Sequence, residues 1–205
     1  MTPFVYDPDR DDRWKAAMAA AIEAAHSNPA LDMQPILYPT TPYDVAVRWF
    51  ARDGSANGEL HWRSFEPESG IRFDPVRFFD GAPEELQIAR GLYHFEDHPD
   101  GGDGTMVLAT ADGRLFAHYS GEQALLPMTV DVATYIEIQI SVLGLHGVIE
   151  AFTDCTAHGR SSEGPSAIHA RYLQRIRSTP RDILAVARQL FADRDHTALE
   201  SVAND

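Results

Sequence analysis

The stretch LYHFEDHPDGGDGTMVLATADGRLFAHYSGE, residues 92–122, concentrates the residues that could do chemistry. His94 and His98 stand four apart with Glu96 and Asp97 between them. On a helix that spacing puts both rings on one face, as zinc sites need. The order is wrong for the HExxH signature, because the glutamate is third of the five. Tyr93–Phe95 followed by Pro99 and glycines looks instead like a strand end entering a loop. Residues four apart on a strand share a face but lie roughly 13 Å apart, too far to grip one ion. DHPDGGDG invites a calcium-loop reading, yet Asp100 and Asp103 do not keep the register of an EF-hand. A solvated turn accounts for the same residues, with glycine allowing positive φ and aspartate bonding backbone amides.

Other catalytic patterns are absent from the sequence. Cys155 is the single cysteine, with His146 and His158 near it in sequence only. GRSSEG, residues 159–164, lacks the strand-turn-helix context of a nucleophile elbow, and no G-x-S-x-G occurs. No phosphate-binding glycine loop is present. His61, His118 and His169 are scattered.

The elements that must position these residues can be read from periodicity. Trp14, Met18, Ile22 and Ala25 recur at helical spacing after an Asp-rich start, which predicts a helix over 11–26 that stops at Asn28-Pro29. Pro35, Pro39 and Pro42 make residues 30–44 irregular chain or edge structure. Val45–Ala51 and Glu59–Phe65 predict a hairpin around a Gly-Asn turn region, with Val45, Val47 and Trp49 on one side. A short helix is expected at Pro83–Arg90. Residues 106–110 and 114–119 form the clearest hairpin, turning at Asp112-Gly113, and a further strand is expected over Ala124–Met128.

The period then changes. Val132, Tyr135, Ile136, Gln139 and Leu143 predict a helix capped by Thr129 or Asp131, with a strand over 135–142 as the alternative. Residues 153–166 form a polar loop. Helices follow at Ile168–Arg177 and Arg181–Ala192, and then a polar tail. Strands and helices are segregated, so the expected class is α+β: a mainly antiparallel sheet between an N-terminal helix and C-terminal helices. Residues 1–152 make one domain, with 153–205 a helical extension packed on it.

The totals narrow the function. Of 205 residues, 44% are hydrophobic and 23% charged, enough apolar material for a core. Thirty-one acidic residues face seventeen basic ones, a net charge of −14. Such a surface repels nucleic acid and anionic membrane and attracts a basic protein. One cysteine suits a reducing compartment. The opening MTPFVYDPDRDDRW has neither basic nor apolar signal regions, and no run is long enough for a membrane helix. The cytoplasm is the expected location.

Three stretches carry a family resemblance: LYHFEDHPDGGDG, TMVLATADGRLFAHYSGE and MTVDVATYIEIQISVLG. The order of strand, Gly/Asp-rich turn, hairpin, polar link and helix over 92–152 resembles the second half of a SUKH-superfamily domain. The family's first-half pattern, a helix followed by an acidic-Leu-Gly and Leu-Pro segment, has no counterpart in ALDMQPILYPTTPYD. The resemblance implies an α+β fold without catalysis or cofactor. It also implies an immunity protein that neutralises a cognate toxin in bacterial competition. The expected working surface is Glu96, Asp97, Asp100 and Asp103 with Tyr93 and Tyr119, facing a basic toxin domain. The competing expectation is a metal-assisted hydrolase using His94, His98 and an acidic partner such as Asp103.

Overall fold

The computed structural model describes residues 8–35, 45–62, 87–98, 105–119, 125–145, 147–153 and 165–179. In chain order these give α1 (Pro8–His26), β1 (Leu31–Pro35), β2 (Val45–Ala51), β3 (Asn57–Trp62), β4 (Tyr93–His98), β5 (Thr105–Ala109), β6 (Arg114–Tyr119) and β7 (Leu126–Asp131). The helices α2 (Val132–Ser141), α3 (Val148–Ala151) and α4 (Pro165–Ser178) follow. Every described strand pair is antiparallel. One sheet has the order β1-β2-β3, the other β4-β5-β6-β7. The fold is α+β. Its residues gather into two compact units, each drawn from several stretches of chain.

The unit holding β1–β3 also contains α1, residues 134–148 and residues 169–179. In α1 the buried stripe is Trp14, Met18, Ala21 and Ala25. Ala21 thus takes the place expected of Ile22, which is only half-buried. The helix packs on the three strands. Asn28 ends it as the sequence implies: its side-chain oxygen accepts the Ala30 N–H at 2.9 Å, the local bond that makes Asn a turn former.

Residues 31–35 of the proline-rich segment form the edge strand β1, with Pro35 at its end. In β2, Val47, Trp49 and Ala51 are buried while Arg48 and Phe50 are half-buried, the alternation expected of a strand with one core face. Burying Trp49 completely withdraws about 200 Å² from water, on the order of 5 kcal/mol before entropic costs. The β2–β3 turn spans residues 52–55, inside the expected turn region, and β3 begins at Asn57, two residues before the expected Glu59. The predicted strand tail at 63–65 lies outside the described residues.

Residues 132–141 are helical, which settles the helix–strand alternative there. The helix ends in two consecutive left-handed residues, Leu143 (φ 53°) and Gly144 (φ 61°). Gly144 N–H reaches back to the Gln139 carbonyl at 2.7 Å, and Leu143 N–H to that of Ile140 at 3.2 Å. This pair of bonds is the Schellman closure, here with leucine where glycine is usual, at a conformational cost of about 1–2 kcal/mol. The conformation aims the Leu143 carbonyl at the Trp49 indole N–H, 2.6 Å away. Gly144 accepts the Glu59 N–H at 2.9 Å, and Leu145 bridges to Gly58 of β3. Tyr172 of α4 closes the unit by donating its hydroxyl to the Leu145 carbonyl at 3.2 Å.

The other unit is built on β4–β7. Ala89 and Leu92 pack with Leu108, Phe116 and Leu125. Residues 87–89 form a helical turn, the described part of the helix expected at 83–90. Leu115 through Tyr119 are all buried, so β6 is covered on both faces. The final strand runs over 126–131, later than the expected 124–128. Thr129 accordingly belongs to β7 instead of capping α2, and its N–H bonds the Phe152 carbonyl at 2.8 Å. Asp131 directly precedes the helix. The Val132 N–H, one of the donors a helix start leaves open, is taken by the Gly113 carbonyl at 3.0 Å. The helix expected at 181–192 lies outside the described residues.

Candidate functional site

The acidic stretch is the connection of the β4–β5 hairpin. His98 and Thr105 are register partners at one end of the pair, and residues 99–104 between them lie outside the described residues. Thr105–Ala109 then pairs with Arg114–Tyr119 as the sequence predicts, through Thr105↔Tyr119 to Ala109↔Leu115. Glu96 and Asp97 lie at the end of β4. Asp100 and Asp103 lie outside the described residues.

A β-bulge breaks the β4 register. His94 pairs with Leu108, and Glu96 with the next residue, Val107. Phe95 is the inserted residue and is buried. Two residues facing one shift the two-residue alternation by one position. His94 therefore falls opposite Leu108 and His98 opposite Thr105, register positions belonging to opposite faces. This corrects the expectation that residues four apart on this strand share a face. Among the described residues, no three His, Cys, Asp or Glu side chains gather as metal ligands.

The two expected aromatic contacts separate. Tyr93 is half-buried at the start of β4. Tyr119 is 2% exposed in β6 and offers a partner no ring surface, contrary to the expected surface role. The reason is the two-sided cover of β6. The signal was available: RLFAHY is apolar at both odd and even positions, a pattern of strands buried on both faces. His118, beside it, is buried too.

The Asp112-Gly113 turn carries an organised polar group. The Thr110 hydroxyl donates to the Asp112 carboxylate, and the Arg114 N–H donates to the Thr110 hydroxyl oxygen at 3.0 Å. Arg114 also pairs with Asp112 at 3.0 Å. The Thr110 hydrogen bond, opposed by burial and aided by Arg114, holds the Asp112 carboxyl below its ordinary 3.8. A lowered folded-state value stabilises the fold above 3.8 and loses that stabilisation as pH falls through and below it. Asp112 and Arg114 are each about half exposed, so solvent screening limits the contribution to about 0–1 kcal/mol. Asp112→Asn is expected to lower stability by less than about 1 kcal/mol at pH 7, and its difference from the wild type should shrink steadily as pH is lowered below 3.8, read by urea denaturation across that range.

One charged cluster escaped the sequence reading. Arg48 and Glu59 are direct register partners across β2 and β3 and form an ion pair, with Glu59 only 4% exposed. Next to it, Arg175 of α4 donates to the Asn57 side-chain oxygen at 3.0 Å. Finding the pair required the β2–β3 register, which places the arginine of VAVRWFA opposite the glutamate of NGELHW.

No described helix is long and apolar enough to cross a membrane. Comparison with family models, curated proteins and solved structures finds no match.

Proposed function

We propose that this chain is a non-enzymatic binding module of the immunity-protein kind, which neutralises a basic toxin domain in the cytoplasm. The observation that carries the reading is a net charge of −14 together with four carboxylates, Glu96, Asp97, Asp100 and Asp103, at the end and connection of one hairpin. A toxin acting on nucleic acid presents a basic groove, and an acidic inhibitor gains encounter rate and register from complementary charge. The resemblance of residues 92–152 to SUKH domains supports the same reading. So does the single cysteine, which suits a reducing compartment. Tyr93 remains the aromatic assigned to the surface.

The test is a joint change of Asp97, Asp100 and Asp103 to Asn, with association to a toxin domain encoded in an adjacent reading frame measured against salt. Loss of steering is expected to slow association on the order of tenfold at low salt and to flatten its salt dependence, with the folded state retained by circular dichroism. Single changes are expected to show little, because an exposed charge contributes about 0–1 kcal/mol. Association at the wild-type rate would place the working surface elsewhere. Loss of folding would make the carboxylates structural.

A further inference from the structure

We draw no further inference here: the strongest candidate, the outer face of α4 with Arg171 and Arg177 exposed and no acidic residue over Pro165–Ser178, has Arg171 already engaged within the chain, and nothing in the structure shows what would cover that face.

Discussion

Gly144→Ala is expected to cost about 4 kcal/mol or more, which is exceptional for a single methyl group. A Cβ at this position would overlap the Glu59 carbonyl oxygen and lie 2.5 Å from the carbonyl carbon. Both atoms are backbone of β3, so no side chain can swing aside. The new residue would also have to hold a φ of 61°, and retreat would break the 2.9 Å bond from the Glu59 N–H to the Gly144 carbonyl. Gly54 supplies the control. Its φ is 74°, but a Cβ there meets nothing within 4 Å. Gly54→Ala should therefore show the conformational cost alone, about 1 kcal/mol. In a chain of this size each kcal/mol moves Tm by roughly 2–4 °C, so Gly144→Ala should fall by about 10 °C or more and Gly54→Ala by a few degrees. Thermal melts followed by circular dichroism separate the two. Equal melting temperatures would mean that β3 and the end of α2 are not in contact.

The second large effect is expected at Arg48. Arg48→Met keeps much of the aliphatic stem but leaves the Glu59 carboxylate, 4% exposed, without its guanidinium. Removing one member of a buried ion pair typically costs about 3–5 kcal/mol, because the remaining charge stays desolvated. The lower end applies here, since the Arg48 side chain keeps 29% of its exposure and is partly hydrated in the native state. The double change Arg48→Met with Glu59→Leu should recover most of the loss, because apolar replacement of both partners leaves no charge to desolvate. A double-mutant cycle by urea denaturation reads the coupling. If the single and double variants are equally unstable, the pair is incidental and the damage lies in packing.

These effects fall in the part of the chain whose chemistry was least visible in the sequence. The periodicities of α1, β2 and α2 were legible because their apolar positions repeat at the spacing of the element. Trp14, Met18 and Ala25 needed only a helix, and Val47 and Trp49 only a strand. The hairpin of β5 and β6 was legible because Asp112-Gly113 sits between two β-rich runs. The Arg48–Glu59 pair was not, because it depends on cross-strand register, which a linear sequence leaves open until the turn is placed. The turn fell within the expected stretch, but β3 begins at Asn57, two residues before the expected Glu59. The bulge at Phe95 was hidden for a related reason: an inserted residue leaves no mark until its partner strand is known. Tyr119 was placed on the surface through the family resemblance, although its own strand has the continuous apolar character of an interior one.

The bulge has a further consequence for how this chain can tolerate changes in length. Between Tyr93 and His98, β4 spends six residues on a span that β5 covers with five, Ala109 to Thr105. Loss of one residue near Phe95 can be absorbed by erasing the bulge, with the hairpin ends still meeting. Loss of one residue from the middle of β6 has no such reserve. It would reverse the facing of every residue on one side of the gap in a strand buried from Leu115 to Tyr119. Natural variation in strand length should therefore collect on the edge that leads into the acidic connection and be excluded from the centre of the sheet.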